Sequence, residues 1–169
     1  MRFDEIPEAG LWLNVTEASW VPADEFTVHG PVAVTIFLEK NGERVLLSGT
    51  MKICILQKCD RCLASFPFEL DTRFNVDLEY SVEASAKDLG SDHACVPEEM
   101  DVVQLEEPVI DVYSLLLQQL YLGMPDKLLC SEGCLGICSS CGADLNASAC
   151  ECSKEAGSSP FSVLAKLKR

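Results

Sequence analysis

The amino-acid sequence predicts an α+β fold: an antiparallel, β-rich body, either a sheet or a partly open barrel, with one packed helix. Apolar and polar side chains alternate strictly over residues 66–80, as they do in a strand with one solvated face. Apolar side chains recur at helical spacing over 110–122. Closely spaced cysteines between 129 and 153 add a cysteine-rich segment, and a short helix is predicted at the C-terminal end.

The 169-residue chain is acidic, with 13 basic and 27 acidic residues and a formal net charge of −14. Hydrophobic residues make up 48% of it, which is enough for a buried core. A chain of this charge should repel bare nucleic acid and attract basic partners, because phosphate contacts need Lys and Arg. No apolar run is long enough to span a membrane, and the first residues lack the apolar stretch of a secretory signal. The sequence therefore predicts a cytoplasmic protein.

The strands of the body are predicted in chain order. Residues 1–25 show no regular pattern and are expected to be irregular. Residues 28–38 place apolar side chains on one face in imperfect alternation, and residues 44–56 do so again. The Asn-Gly pair at 41–42 is typical of a hairpin turn between two such strands. The strand at 66–80 is long enough that a bend or bulge is expected in it.

An acidic connection and one helix follow these strands. Residues 75–125 contain eleven acidic residues and one basic residue, and 81–108 are predicted to be a solvated loop. The alternative interpretation makes this loop a docking surface for a basic partner. The apolar stripe of the helix at 110–122 should pack on the sheet.

Three divisions of the chain are predicted: a β-rich body at 1–128, a cysteine-rich zinc-knuckle segment at 129–153, and a linker with a short terminal helix at 154–169. The linker is flexible by composition. The tail after it is amphipathic and basic, with Pro160 near the start of the helix. We expect a docked terminal helix, and the alternative is a small tip that binds RNA or a partner.

Eight of the ten cysteines form four close pairs, a spacing typical of metal ligands. The pairs are Cys59 with Cys62, Cys130 with Cys134, Cys138 with Cys141, and Cys150 with Cys152. Zinc prefers four soft ligands in a tetrahedron, and a tight turn with a short spacing supplies two of them. The segment 138–152 therefore predicts one zinc site. The other two pairs, far apart in sequence, predict a second site that closes a long loop.

The same residues leave alternatives to two zinc sites: a single site, a mixed pairing, or a redox dithiol at Cys59 and Cys62. A thioredoxin-type dithiol needs a βαβ setting, which the pattern does not show. Catalytic zinc is disfavoured because four thiolates leave no position for water. Cys54 and Cys95 fit no ligand spacing and are expected to be packed or idle thiols.

The sequence holds no familiar catalytic motif and predicts a protein that is not an enzyme. The P-loop, G-x-G-x-x-G, G-x-S-x-G and H-E-x-x-H patterns are all missing. His29 and His93 are the only histidines, and the sequence identifies a partner for neither. The carboxylates include no defensible acid–base pair.

Several short motifs occur in a fixed order along the second part of the chain. They are Cys-Asp-Arg-Cys-Leu at 59–63, Met-Pro at 124–125, a run from Leu-Cys-Ser-Glu-Gly-Cys to Asp-Leu-Asn at 129–146, Cys-Glu-Cys at 150–152, and the tail at 160–168. This order resembles the YceD family, the bacterial large ribosomal RNA subunit accumulation proteins, which have plastid relatives. The resemblance covers about residues 50–169. It implies a role in the synthesis, processing or accumulation of large-subunit (23S) ribosomal RNA, without catalytic activity.

The sequence therefore predicts a non-enzymatic ribosome-assembly factor of the bacterial cytoplasm, with two structural zinc ions and no membrane partner. Its acidic surface would bind the pre-ribosomal large subunit through a basic ribosomal protein or an assembly factor. Direct contact with rRNA is the alternative, through these basic residues: Lys58, Arg61, Lys166, Lys168 and Arg169. The other function classes left open are a zinc-stabilised adaptor unrelated to ribosomes, a thiol redox protein and a nuclease.

Overall fold

The computed structural model describes residues 1–80 and 102–152, which divide into two compact units. The first unit comprises Met1–Gln57 and Ser65–Lys127, and the second comprises Lys58–Ala64 with the described residues from Leu128 onward. The elements in chain order are a 3-10 turn at Phe3–Glu5, strands β1 (Leu11–Val15), β2 (Thr27–Val28), β3 (Ala33–Asn41), β4 (Arg44–Lys58), β5 (Ser65–Tyr80) and β6 (Val102–Leu105), and helix α1 (Val112–Gly123). The predicted three-part division stays a prediction.

The strands form one sheet in the order β1-β3-β4-β5-β6, with β2 paired to β4 off this path. Strand β3 pairs antiparallel with both β1 and β4, in a register that places Asn41 opposite Arg44. Gly42 and Glu43 form the connection, and Gly42 has a φ of +65°, which the first loop position of a type II′ turn requires. The hairpin predicted at 41–42 is therefore confirmed.

One face of the three long strands forms the core of the first unit. Successive side chains of a strand point to opposite faces, so apolar residues are buried while their polar neighbours stay in solvent. The buried strand residues are Val34, Ile36 and Leu38 of β3, Val45, Leu47, Met51, Ile53 and Ile55 of β4, and Leu70, Phe74, Val76 and Leu78 of β5. No polar or charged residue is buried in the described part of the chain. The alternation read from the sequence is confirmed in all three strands.

The N-terminal segment is more ordered than predicted. Residues 1–25, expected to be irregular, contain β1 at one edge of the sheet. Phe3, Ile6 and Trp20 from the same segment are buried in the hydrophobic core. A five-residue strand is too short for alternation to stand out, and its pairing with β3 is a tertiary contact that local pattern does not reveal.

The connection after β5 also differs from the prediction. Residues 102–105, expected to lie in a solvated loop, form β6, which runs parallel to β5 with Asp77 opposite Val102. The antiparallel prediction is therefore wrong at this edge, and the sheet is mixed. Parallel neighbours need a long connection, which the chain between Tyr80 and Val102 provides. Because the path of described strands ends at β1 and β6, the sheet is open, not a partly closed barrel.

Helix α1 begins at a side-chain cap. The Asp111 Oδ1 accepts hydrogen bonds from the N–H groups of Tyr113, at 3.1 Å, and Ser114, at 3.2 Å. The helix buries Leu115, Leu116 and Leu120 in the core that it shares with the strands. The packed helix predicted at 110–122 is confirmed. Within the described ranges, no helix has the length and apolar character needed to cross a membrane.

Candidate metal centres

The eight paired cysteines fall into two groups of four, both within the second unit. The first tetrad consists of Cys59, Cys62, Cys130 and Cys134, and the second tetrad consists of Cys138, Cys141, Cys150 and Cys152. Within each group, the ligand atoms all lie within 4.8 Å of one another. The grouping is the one that the spacing predicted, and each tetrad could hold a metal ion.

The first knuckle, residues 59–64, is a tight turn closed by two backbone hydrogen bonds. The Cys59 N–H donates to the Ala64 carbonyl at 2.9 Å, and the Leu63 N–H donates to the Cys59 carbonyl at 2.9 Å. The turn places the sulfurs of Cys59 and Cys62 on the same side of the backbone. Leu63 has a φ of +62° and is the only non-glycine residue with a positive φ in the described part of the chain.

The second knuckle, residues 138–143, repeats this turn. The Cys138 N–H donates to the Ala143 carbonyl at 2.8 Å, and the Gly142 N–H donates to the Cys138 carbonyl at 2.9 Å. Gly142 has a φ of +72°, the conformation that Leu63 adopts in the first knuckle. Glycine takes this conformation without steric cost, whereas a side chain makes it unfavourable.

The sulfur spacing in the first tetrad fits a tetrahedral zinc site. The Cys59 and Cys134 sulfurs are 3.7 Å apart, and those of Cys62 and Cys130 are 3.6 Å apart. Four sulfurs arranged tetrahedrally about 2.3 Å from a zinc ion lie about 3.8 Å from one another. A disulfide requires about 2.05 Å, so these contacts are between separate thiols.

The first tetrad is well enclosed and braced by its neighbours. Three of its members, Cys59, Cys62 and Cys134, are buried, and Cys130 is the more accessible. Arg61 braces the chain around it, because its Nη1 donates to the Cys134 carbonyl at 2.9 Å. A second brace joins the first knuckle to Leu128, whose N–H donates to the Asp60 carboxylate at 2.6 Å and whose carbonyl accepts from the Asp60 N–H at 2.8 Å.

Asn146 connects the loop of the second tetrad to the first tetrad. Its Nδ2 donates to the Cys134 sulfur at 3.4 Å, and its Oδ1 accepts from the Leu135 N–H at 2.8 Å. Asp144 holds the Asn146 side chain through a 2.7 Å contact between Nδ2 and Oδ1. Hydrogen-bond donors that contact a ligand sulfur in this way orient the ligand and stabilise its thiolate. Sequence reasoning missed Asn146, because no spacing rule connects it to a cysteine 12 residues away.

The surroundings of the first tetrad favour ionisation of one thiol and oppose ionisation of another. Burial disfavours the thiolate of Cys59, but backbone N–H groups outweigh it and lower its pKa to about 6; they belong to Cys62, Cys130 and Arg61. The Ala64 N–H favours the thiolate of Cys62, yet burial and the neighbouring thiols together raise its pKa to about 12. A divalent cation among the sulfurs would relieve this conflict by favouring all four thiolates.

The second tetrad shows the same division between its thiols. The N–H groups of Cys141 and Ser140 lower the pKa of Cys138 to about 6. The neighbouring thiol of Cys141, followed by burial, raises the pKa of Cys152 to about 12. A soft metal ion bound among these sulfurs would favour the thiolate of each ligand.

The other predicted site residues are not among the eight cysteines of the tetrads, and some lie outside the described residues. Arg61 is exposed on the first knuckle while bracing the first tetrad, and Lys58 is exposed immediately before that knuckle. Cys54 lies in β4, where its carbonyl accepts a 2.8 Å hydrogen bond from the backbone N–H of exposed His29. Outside the described residues lie Cys95, His93, Lys166, Lys168 and Arg169.

An open mixed sheet and a cysteine-rich unit with two potential metal centres define the class of this protein. A family model described as the large ribosomal RNA subunit accumulation protein YceD matches residues 47–168, well over half of the chain. The chain therefore belongs to the YceD family, which confirms the resemblance of its motifs. No curated protein and no solved structure matches the chain.

Proposed function

We propose that this protein promotes the synthesis, processing or accumulation of large-subunit (23S) ribosomal RNA in the bacterial cytoplasm. The observation that carries the proposal is the YceD family match over residues 47–168. The family name implies a role in the accumulation of the large ribosomal RNA subunit. The matched range contains most of β4, all of β5, β6 and α1, and both tetrads, so it covers much more than a single short motif.

We further propose that each tetrad holds one structural zinc ion. The sulfur spacings of 3.6 and 3.7 Å in the first tetrad support this, because they are close to those of a tetrahedral ZnS4 centre. The two knuckles also share one hydrogen-bonding pattern, which indicates the same purpose at both. Zinc would stabilise the second unit by joining segments that are separate in sequence.

In this proposal the protein acts without catalysis. Four cysteine ligands fill a tetrahedral zinc coordination shell and leave no position for an activated water. A nuclease would instead need a hard metal ion held by carboxylates. The role of the zinc ions is therefore to maintain a binding surface.

We propose that the main partner is a basic ribosomal protein or an assembly factor of the pre-ribosomal large subunit. The net charge of −14 favours a basic partner over bare RNA. Two basic side chains on the sheet are already paired: Lys52 with Asp71 at 2.8 Å, and Arg44 with Glu79 at 3.1 Å. Lys58 and Arg61 are the candidates for a direct contact with rRNA within the described residues, and the basic tail at 166–169 stays a candidate outside them.

A depletion experiment tests the role in rRNA accumulation. Cells that lack the protein should contain less large-subunit rRNA relative to small-subunit rRNA, and the native chain should restore the ratio. The variant C62S should fail to restore it, while the matched control C54S, outside both tetrads, should succeed. An unchanged ratio after depletion would contradict the proposal.

A native pull-down with and without ribonuclease tests the nature of the contact. Large-subunit proteins that remain bound after ribonuclease indicate a protein contact. Partners that disappear with the RNA indicate direct binding to rRNA, which K58E and R61E should then weaken along with its salt dependence. Enrichment of components unrelated to ribosomes would favour a zinc-stabilised adaptor of another system.

A thiol redox role is the second candidate, because the pKa of Cys59 is lowered to about 6. A reactive dithiol requires accessible sulfur in the native protein. Modification of the native, zinc-loaded protein with a thiol reagent separates the two functions. Rapid labelling of Cys59 would favour redox chemistry, whereas protected tetrads with two bound zinc ions per chain would favour the structural role.

A further inference from the structure

The solvent-facing side of α1 carries no charge, although the chain has a formal net charge of −14. None of the twelve residues of the helix is charged. Its exposed side chains are Tyr113, Ser114, Gln118, Tyr121 and Leu122, and the half-buried Leu117, which also packs against the core, lies among them. Leu122 is 77% exposed, Tyr113 is 50% exposed and Tyr121 is 41% exposed. Contiguous exposed apolar and aromatic groups of this kind mark interaction surfaces.

The solvent-facing side of β5 in the same unit is built differently. Its polar positions hold Glu69, Asp71, Arg73 and Asp77, all exposed. Salt bridges such as Lys52 with Asp71 pair part of this charge within the unit. Strand β5 thus shows the ordinary charged surface of a solvated strand, and the helix does not; the exposed Trp12 of β1 lies against Phe37 of β3. Tyrosine is enriched and charged residues are depleted at the centres of protein interfaces.

Carboxylates border this surface at the end of α1 that contains Tyr121. The Tyr121 hydroxyl donates a hydrogen bond to the Glu25 carboxylate, and its ring packs against Phe26 with centroids 5.3 Å apart. The hydrogen bond to Glu25, together with burial and the negative charges of Glu25 and Asp24, raises the pKa of Tyr121. The border is therefore acidic: Glu25 is held there by the Tyr121 hydroxyl, and the exposed Asp24 precedes it in the chain.

An open hollow lies at the other end of the helix. It has a volume of about 390 Å³ and is lined by Met1, Val109, Ile110, Asp111, Val112 and Tyr113. Val109 is 40% exposed within it. A hollow of this composition accepts an apolar anchor side chain, and such anchors supply most of the affinity of small interfaces.

We propose that the α1 face, defined as Tyr113, Leu117, Tyr121 and Leu122, binds an amphipathic basic segment of a protein partner. The apolar side of that segment lies on the tyrosines and leucines and places one side chain in the hollow. Its Lys or Arg side chains reach Asp24 and Glu25. This inference rests on the proposed function in one respect, since the segment supplies the protein contact with the pre-ribosomal large subunit.

Charge favours a basic segment on this surface over a second copy of the chain or a nucleic acid. A second copy of the chain would bring a second set of Asp24 and Glu25 carboxylates toward the same surface, and each copy carries a net charge of −14. Like charges brought together at an interface are unfavourable. Nucleic acid would place phosphates against the same carboxylates. A basic segment is attracted where both of these are repelled.

Peptide binding to the zinc-loaded full chain tests the surface. The probe is a labelled synthetic peptide of Leu, Lys and Ala, about 15 residues long to match a helix of this length. A Leu-Glu-Ala peptide and a scrambled Leu-Lys-Ala peptide without an apolar face serve as controls. The native chain should bind the first peptide and neither control. The double variant Y113Q/L122Q should weaken binding by roughly tenfold or more, as expected for interface anchors.

Two further variants make the binding test specific. E25Q should weaken binding and reduce its salt dependence, because it removes a border charge but keeps a partner for the Tyr121 hydroxyl. The matched control W12Q removes an exposed aromatic side chain on β1, 65% exposed, and should leave binding unchanged. Equal weakening by Y113Q/L122Q and W12Q, or equal binding of the scrambled peptide, would overturn the proposal. A dimer or an rRNA complex that Y113Q/L122Q disrupts, with peptide binding intact, would overturn it in favour of that occupant.

Complementation distinguishes failure of this inference from failure of the proposed function. If the native chain and Y113Q/L122Q restore large-subunit rRNA equally in depleted cells, the surface proposal is overturned and the rRNA role stands. If the native chain itself has no effect on rRNA while the peptide result holds, the rRNA role fails and the docking surface stands. The inference is supported when Y113Q/L122Q loses both peptide binding and rRNA restoration and W12Q retains both.

Discussion

The two tetrads share one local geometry but differ in how far they reach along the chain. The first joins cysteines 68 to 75 residues apart, and three of its four members are buried. The second takes all its cysteines from residues 138–152, and none of them is buried. One type of knuckle therefore serves two purposes: the first tetrad constrains a long stretch of chain, and the second organises a short loop that has little core of its own.

Removal of the metal should have the largest effect, and the two tetrads should lose their metal at different rates. Protein purified without chelator should contain about two zinc ions per chain. A strong chelator should remove zinc from the accessible second tetrad first and from the buried first tetrad more slowly, because opening the first tetrad requires local unfolding. A chromogenic chelator measures both phases. A single phase with one zinc per chain would contradict the division into two sites.

Loss of a single cysteine ligand should show which tetrad contributes more to the stability of the chain. C62S should lower the stability of the chain more than C141S, since the longer loop closed by the first tetrad contributes roughly 1.5 kcal/mol more closure entropy. C141S should increase hydrogen exchange mainly within residues 138–152. Thermal unfolding with hydrogen exchange measures both effects, and C54S is the control. Equal losses from C62S and C141S would show that loop length does not decide the difference.

The hydrogen bond from Asn146 to the Cys134 sulfur should couple the tetrads. N146L removes this donor while keeping a similar volume, so it should lower the free energy of unfolding by about 1–2 kcal/mol and speed zinc release from the first tetrad. N14L, a change at an exposed site in β1, is the matched control. Zinc release at the native rate in N146L would show that the tetrads are independent.

The smallest expected effects come from the residue that differs between the two knuckles. L63G places glycine where the backbone has a positive φ and should raise stability by up to about 1 kcal/mol, because it relieves the strain of the leucine. The reciprocal variant G142L should lower stability by about 1–2 kcal/mol. Denaturant unfolding of both variants measures the two changes in the free energy of unfolding. The same sign for both changes would mean that the two turns are not equivalent.

The sequence predicted the parts of the fold and site that depend on local patterns, and it missed the parts that depend on contacts between residues far apart in the chain. The three long strands, α1 and the cysteine grouping follow from periodicity and spacing, which are local signals. Strands β1 and β6 are short and owe their place to partners elsewhere in the sheet. Asn146 and the positive φ of Leu63 were not predictable, because residue type indicates neither the contact with Cys134 nor a left-handed leucine.

The separation of the ligands in the first tetrad has a consequence during synthesis. The Cys59 and Cys62 pair leaves the ribosome well before Cys134, which lies 75 residues after Cys59. At about 5–20 residues per second, the pair waits roughly 4–15 seconds for its partners, whereas the second tetrad is complete within about 3 seconds of its first cysteine. During this interval the dithiol is open to oxidation, so assembly of the proposed zinc site should depend on the thiol-reducing capacity and zinc supply of the cell that makes the protein.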